Sequence, residues 1–316
     1  MRASSATEPG PGWTFATPGP SASRRGSASA PCSDATENAR IGLGLASSVA
    51  WGISDFLGGL QSRRISALTV LLVSQPVGLV LALAVALVIG GDSLGARDAA
   101  IAAGAGAAAV LALAAFYRAM ALGSVTVVAT IGALGVLVPV AAGVIQGDRP
   151  ALIQAAGAVA GLIGVVLVAR EPDPEWRAAG RAAVGLAALA ALGFGLFFLG
   201  LDAASSDRPT WTIVFARVGG VATLLVAAAL ARPSMRIEES MVPALLAIGI
   251  FDVLANSLFA VATNHGLLSL VAVAGSLYSA VTVLLARFVL GERLARVQLC
   301  GVIVALTGVA LIAAGS

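Results

Sequence analysis

From residue 41 onward the sequence is a series of ten apolar segments separated by short polar breaks. Each segment has roughly the 20 residues that a helix needs to cross the hydrocarbon core of a bilayer. Backbone groups inside a bilayer must find their hydrogen-bond partners within the segment, so such segments form helices. The sequence therefore predicts an all-α polytopic membrane protein with ten transmembrane helices, at residues 41–60, 66–90, 97–122, 124–145, 151–169, 180–201, 210–231, 241–263, 267–290 and 294–314.

The composition of the chain does not supply enough polar residues for a soluble surface. Of its 316 residues, 59% are hydrophobic and only 11% are charged, whereas a soluble domain carries about 25% charged residues. The net charge of +3 and the single histidine come without a clustered basic face, so nucleic acid is not an expected partner. The expected partners are the lipid bilayer and a small-molecule substrate, and a homodimer is left open.

The first 40 residues have a different composition from the rest of the chain. They are rich in Ser, Pro, Gly and Ala and contain no apolar segment. Such a stretch cannot bury a core, so residues 1–40 are expected to form a disordered tail. Arg24 and Arg25 are not followed by the apolar region of a secretory signal, so no signal peptide is predicted.

The apolar segments are related by an internal repeat. Residues 147–169 and 291–313 align without a gap, and 10 of the 23 positions are identical. Two of the identities are polar, with Arg149 opposite Arg293 and Gln154 opposite Gln298. Because the chain is rich in Ala, Val and Leu, apolar matches can follow from composition, but these polar matches are not explained that way.

Weaker matches at offsets of 141 and 143 residues extend the repeat to five segments. The two copies are predicted at residues 41–169 and 180–314. Five is an odd number, so the second copy must enter the membrane from the opposite side. Inverted repeats of this kind build transporters, with the substrate site near the bilayer midplane where the copies meet.

Three stretches carry a resemblance to a known family. They are SLYSAVTVLLARFVLGERL at residues 276–294, the following segment with Gln298, Gly301 and Gly308, and WGISDFLGG at residues 51–59. Together they resemble the EamA-like branch of the drug/metabolite transporter superfamily. The resemblance implies ten helices in two EamA-type bundles, a bacterial plasma (inner) membrane, and export of amino acids or other small metabolites.

Polar side chains inside the apolar segments are the candidate site residues, because such groups are expensive in a membrane and usually face a cavity or a partner. The charges are not duplicated: Asp55 aligns with Leu196, and Asp252 aligns with Ala109. An asymmetric solute needs such an unsymmetrical cavity. The predicted substrate-binding residues are Trp51, Asp55, Tyr117, Arg217, Asp252, Asn256 and Tyr278.

Structural alternatives are open for several of these side chains. Either aspartate can form a structural ion pair with Arg217. Trp51 and Tyr117 can instead be aromatic residues of the membrane interface. Arg118 can extend its head group to the interface. Arg287 and Glu292 lie at helix ends, where topology and capping roles are favoured over ligand binding.

The predicted function is secondary transport, with export as the expected direction. No GxxxxGK[ST] loop is present, so direct use of ATP is not expected. Coupling of transport to protons would need a carboxylate that titrates, such as Asp55 or Asp252. Exchange of one solute for another requires neither residue. Efflux of drugs or lipophilic cations is the alternative within the same fold. An intramembrane enzyme or a non-transporting scaffold is the alternative of another class.

Catalytic residues, cofactors and metal ligands are not predicted, and the chain has no HExxH motif. The distribution of arginine predicts an orientation. The loops that follow odd-numbered segments carry nine arginines, among them Arg63, Arg64, Arg232 and Arg236. The positive-inside rule places those loops in the cytoplasm.

Overall fold

The computed structural model describes the backbone of residues 32–147, 151–168, 177–204, 208–263 and 277–314. Every regular element in these ranges is helical. The α-helices of this part are α1 (Cys32–Gln61), α2 (Ala67–Ile89), α3 (Ala96–Leu122), α4 (Val125–Gly132), α5 (Leu137–Ile145), α6 (Leu152–Val168), α7 (Arg177–Ala203), α8 (Pro209–Ala231), α9 (Val242–Thr263), α10 (Tyr278–Val289) and α11 (Arg296–Ala314).

The helices have the length and composition of membrane spans. Eight spans within the described residues are long and apolar enough to cross a bilayer, counting α4 and α5 as one span. Two shorter apolar helices, Leu152–Leu167 and Tyr278–Val289, fall in the predicted segments 151–169 and 267–290. The latter segment lies partly outside the described residues. The regular elements of the described part are thus all helical, and the chain is a multi-span membrane protein, as the sequence predicts.

The first helix begins earlier than predicted. α1 starts at Cys32, nine residues before the expected start at 41, so residues 32–40 are helical and not disordered. The remainder of the predicted tail, residues 1–31, lies outside the described residues.

The fourth predicted segment is not one continuous α-helix. A 3-10 turn at Ala133–Val136 separates α4 from α5. Pro139 has no N–H for the carbonyl of Gly135, and the backbone just before it tightens into the 3-10 turn. Gly135 also packs so closely on α7 that an added Cβ would lie 2.8 Å from the carbonyl oxygen of Ala191.

One polar identity of the repeat, Gln154 with Gln298, has a structural cause at the start of α6 and α11. The Gln154 side chain accepts a hydrogen bond from the backbone N–H of Ala151 at 2.9 Å. The Gln298 side chain accepts the equivalent bond from Ala295 at 3.1 Å. Each glutamine reaches back from the third helical residue to the N-cap, as in a capping box. The repeat has therefore kept the same helix start in both copies.

Helix packing follows the repeat as well. α1 packs on α9, and α7 packs on α3. α2 packs on α9, and α8 packs on α3. α1 contacts α10, and α7 contacts α5, while α6 pairs with α11 and α2 with α8. In the repeat, α1 corresponds to α7, α2 to α8, α3 to α9, α5 to α10 and α6 to α11. Exchanging each helix for its partner leaves this list of contacts unchanged.

Equivalent glycines allow the closest helix crossings. Gly106 of α3 lies against α8, where an added Cβ would be 1.7 Å from the carbonyl oxygen of Ala216. Gly249 of α9, which is 143 residues later, lies against α2, where a Cβ would be 2.3 Å from the carbonyl oxygen of Ser74. Small residues let membrane helices approach at backbone distance.

The bundle has two ends that are useful to name. The Gln61 end is where α1 ends and α2 begins, and the Ser93 end is where α2 ends and α3 begins. The Thr69 hydroxyl donates a hydrogen bond to the carbonyl of Ser234, so the α8–α9 connection lies at the Gln61 end. Arg208 donates to the carbonyl of Ser93 at 2.6 Å, so the start of α8 lies at the Ser93 end.

Candidate functional site

A cavity of about 130 Å³ lies between helices of both repeat copies. This space can hold several water molecules or a small metabolite. Its walls are mainly apolar, with small residues at Gly106, Ala109 and Gly220. Its polar and aromatic lining residues are Trp51, Asp55, Gln75, Phe194, Phe197, Phe198, Arg217, Asp252, Asn256 and Tyr278.

Arg217 of α8 is the centre of a polar network across three helices. Its Nη1 donates a hydrogen bond to Gln75 Oε1 of α2 at 2.7 Å. The same guanidinium forms an ion pair with the carboxylate of Asp252 on α9. The two charged side chains are 13% and 15% exposed, so the pair is largely withdrawn from solvent. Of the two aspartates that could form an ion pair with Arg217, Asp252 therefore does so.

Asn256 supports the carboxylate of Asp252 from one turn further along α9. Its Nδ2 donates to the backbone carbonyl of Asp252 at 2.7 Å and to Asp252 Oδ1 at 3.2 Å. Residues four apart share one face of a helix, so both side chains face the cavity. This arrangement restrains the Asp252 side chain on the side opposite to Arg217.

Asp55 lies on the same cavity but has no such network. Among the described residues it forms no hydrogen bond or ion pair. It follows Trp51 by four residues on α1, which places both on one face of the helix. The Trp51 ring meets the Tyr278 ring edge to face, with centroids 6.2 Å apart. A partly buried carboxylate therefore lies beside two aromatic rings.

A close crossing of α1 and α10 brings these rings together. An added Cβ at Gly52 would lie 2.8 Å from the carbonyl oxygen of Tyr278. The Thr282 hydroxyl donates to the carbonyl of Gly52 at 3.3 Å. On the other side of α1, the Ser54 hydroxyl donates to the carbonyl of Ile248 at 3.0 Å, which fixes α1 against α9.

The structure brings six of the seven predicted site residues to one cavity. Tyr117 is the exception: it is 1% exposed and packs in the apolar core, where a Cβ at Gly58 would lie 2.1 Å from its ring. It lies behind the cavity lining. Arg118 is exposed on α3, and His265 lies outside the described residues.

Gln75 and three phenylalanines of α7 line the cavity but were not among the predicted site residues. Gln75 is visible in the sequence as a polar residue in an apolar segment next to Pro76. Phe194, Phe197 and Phe198 carry no such signal, because aromatic residues in an apolar segment also face lipid or core. Only the packing of α7 on α3 makes them lining residues.

The fold and the cavity define a class: a polytopic membrane protein with two similar halves around a central, partly charged cavity. Within that class the chain belongs to the EamA-like transporter family of the drug/metabolite transporter superfamily. The family model matches it twice, at residues 39–170 and 181–314.

A solved structure described only as "Crystal structure of protein" shares the fold. It is 15% identical, with a TM-score of 0.60 over 87% of this chain and 96% of that chain. At this identity the likeness concerns the fold alone. No curated protein matches this chain.

Proposed function

We propose that this chain is a secondary transporter that exports small polar metabolites, such as amino acids, across a bacterial plasma (inner) membrane. One observation carries the proposal: an otherwise apolar cavity between the repeat copies contains Arg217, Asp252 and Asp55, which has no ion-pair partner among the described residues. Charged groups at such a depth are costly and are characteristic of solute pathways. A transporter of the inverted-repeat type binds its substrate at this place.

The proposed architecture is ten transmembrane helices in two inverted five-helix repeats, at 41–169 and 180–314. The symmetric helix pairing and the equivalent glycine crossings support it. Under the positive-inside rule the Gln61 end, which carries Arg63 and Arg64, is cytoplasmic. The Ser93 end then faces the opposite compartment.

The proposed substrate site consists of the seven residues selected from the sequence. Asp55 and Asp252 are its acids, and Arg217 is its base. Trp51 and Tyr278 supply rings beside Asp55, Asn256 orients Asp252, and Tyr117 supports the lining from behind. A zwitterion or another small polar solute is the best match for two acids and one base in a small cavity.

Transport is proposed to be driven by proton coupling or by exchange. Asp55 is the better placed proton carrier, because Asp252 is engaged by Arg217. The proposal includes no chemical transformation, cofactor or metal. An intramembrane enzyme or a scaffold would bind a solute without moving it, so flux separates these classes.

Ligand binding is tested by thermal shift of the purified protein against amino acids, amines and nucleosides. A ligand at 100 times its Kd stabilises the folded state by about 2.7 kcal/mol. Leu113→Trp places a bulky ring in the cavity, whereas Leu111→Trp, two residues away, faces outward from a site that is 58% exposed. We expect the ligand shift to disappear in Leu113→Trp and to persist in Leu111→Trp. Equal shifts in both variants would contradict binding in the cavity.

Efflux of lipophilic cations is the second candidate, and the surroundings of Asp55 favour it. Asp55 has no cationic partner among the described residues, and the rings of Trp51 and Tyr278 lie beside it. Aromatic faces attract cations. A thermal shift produced by hydrophobic ammonium compounds and by no amino acid would select this candidate.

A further inference from the structure

Three turns of the chain meet in one polar cluster at the Gln61 end. Glu292, in the α10–α11 turn, accepts hydrogen bonds from Ser124 Oγ at 2.8 Å, from the N–H of Val125 at 2.9 Å and from the N–H of Thr126 at 3.1 Å. Its carboxylate thus caps the first turn of α4. Arg63, after α1, contacts the same carboxylate at 3.5 Å. We call Arg63, Ser124, Val125, Thr126 and Glu292 the turn cluster.

Arg63 also holds the preceding helix. Its Nε donates to the carbonyl of Met120 and its Nη2 donates to the carbonyl of Gly123, both at 3.3 Å. These carbonyls belong to the last turn of α3. The α3–α4 turn is therefore held by a cation at the end of one helix and by an anion at the start of the next, each with the sign that the helix dipole favours.

Within the described residues, the ion pairs at the two ends of the bundle differ in how far they are exposed. In the turn cluster the Glu292 side chain is only 14% exposed, and its bonds to backbone N–H groups are of the strong, charge-assisted type. At the Ser93 end, Arg208 pairs with Asp92 at 3.6 Å, and these side chains are 43% and 90% exposed. Exposed pairs of that kind contribute little.

The cavity extends toward the Ser93 end. Leu201 lines it only two residues before the end of α7, and Ile213 lines it four residues after the start of α8, both at the Ser93 end. Toward the Gln61 end, the nearest lining residue of α1 is Asp55, which lies six residues before Gln61. At the helical rise this is about 9 Å of packed protein.

We propose that the turn cluster is the closed gate of the transporter at the Gln61 end. Opening this end requires Glu292 to leave the N-terminus of α4 and Arg63 to leave the C-terminus of α3. The proposal rests on the transport function, since only alternating access requires the gate to open. Arg63 and Glu292 act on the position of the α3–α4 turn and do not contact the cavity. A fixed brace that never opens is the competing role for the same contacts.

The test measures access to the cavity from each face of the membrane. Cys32 and Cys300 are replaced by Ser, and Ala109→Cys places a thiol in the cavity lining. A membrane-impermeant maleimide is applied to right-side-out and to inverted vesicles. Ser93→Cys and Ser240→Cys, made singly, report which face the reagent reaches. This labelling measurement needs no transported substrate, so its failure is distinct from a failure of the proposed function.

We expect the thiol at 109 to react mainly from the Ser93 face in the protein with an intact turn cluster. Glu292→Ala should raise its labelling rate from the Gln61 face by about fivefold or more, the range of a typical coupling between two states. Glu239→Ala is the matched control, since it removes an exposed acid at the same end. Labelling from the Gln61 face that is the same in Glu292→Ala, Glu239→Ala and the parent would overturn the gate.

A second arm keeps the proposal testable if Glu292→Ala fails to insert. Ser124→Ala removes one hydrogen bond from Glu292 and should increase labelling from the Gln61 face in the same direction, by a smaller factor. In the double variant Ser124→Cys/Glu292→Cys, a short thiol crosslinker replaces the broken contact by a covalent one. The crosslink should return labelling from the Gln61 face to the parent level and should stop transport. Transport that continues at full rate with the crosslink in place identifies a fixed brace and overturns the gate.

Discussion

The charged residues of the cavity fall into two groups, according to whether they have partners within the protein. Arg217 is bound to Gln75 and Asp252, and Asp252 is held by Asn256. Removing one member of that network leaves the others without compensation. Asp55 has no such partner in the described part of the chain, so its substitution disturbs no internal contact. Substitutions of Asp252 and of Asp55 are therefore expected to have different effects.

Arg217→Gln should destabilise the protein by about 3 kcal/mol, because it leaves Asp252 as an uncompensated charge. The double variant Arg217→Gln/Asp252→Asn should recover part of this loss, with a coupling energy of about 1–3 kcal/mol. Melting in detergent measures both. Arg118→Gln, which removes an exposed arginine, is the control and should change stability by no more than about 0.5 kcal/mol. Additive losses in the double variant would show that the ion pair is not a stabilising unit.

Asp252→Asn should abolish or uncouple flux while the protein still inserts and stays monodisperse. The substitution keeps the shape of the side chain and removes the charge that Arg217 contacts. Flux and size-exclusion profiles of the same preparation provide the measurement. Transport at the parental rate would assign Asp252 a structural role and direct attention to Asp55.

Asp55→Asn should leave the melting temperature nearly unchanged and alter which solutes bind. No ion pair is lost within the described residues, so the stability change should stay within about 0.5 kcal/mol. The ligand shift of cationic solutes should weaken more than that of neutral ones. Equal ligand shifts for cationic and neutral solutes in the variant would remove Asp55 from the site.

Helix crossings show which parts of the arrangement depend on single residues. At Gly106 the backbone of α3 touches α8, whereas nothing lies within 4 Å of a Cβ added at Gly104. The two glycines are neighbours on the same helix, and they differ only in what they face. They form a matched pair for measuring the crossing.

Gly106→Ala should destabilise the protein by about 1–3 kcal/mol or more, because the added methyl group forces α3 and α8 apart. Gly104→Ala should be neutral or stabilising, since Ala favours helix more than Gly does. Melting temperatures of the two variants give the comparison. Similar melting temperatures would mean that the crossing tolerates a Cβ.

Helices were easier to predict than their contacts. Segment length and apolarity suffice for α2, α3 and α8, because a membrane-spanning chain has no alternative to helix. The break before α5 depends on Pro139 and on close packing at Gly135. Which helices pack on each other has no local signal in the sequence. Asp252 and Arg217 could be selected because charge in an apolar segment is rare. The lining role of Phe197 and Phe198 depends on helix rotation and could not be read from the sequence.

At the scale of the whole molecule, two copies of one unit surround an unsymmetrical cavity. The repeat supplies helix starts and crossings, as at Gln154 and Gln298. The charges at Asp55 and Asp252 break the symmetry. Because the charges are not duplicated, the cavity can bind an asymmetric solute. Because the helices are duplicated, the cavity can still open at either of its two ends in turn.

Equivalent loops of the two copies should lie on opposite faces of the membrane. Arg64 lies in the loop after α1, and Asp202 lies in the last turn of α7, the repeat partner of α1. Both are exposed. Cysteines introduced singly at these positions should react with an impermeant maleimide from opposite sides. Labelling from the same side would refute the inverted repeat.

Flux in proteoliposomes tests most directly whether solute crosses the membrane through this cavity. Solutes that shift the melting temperature are followed with the parent protein, with Leu113→Trp and with Leu111→Trp. We expect saturable flux with the parent and with Leu111→Trp, and none above empty liposomes with Leu113→Trp. Undiminished flux through a folded Leu113→Trp protein, or solute that binds the parent without crossing, would contradict this expectation.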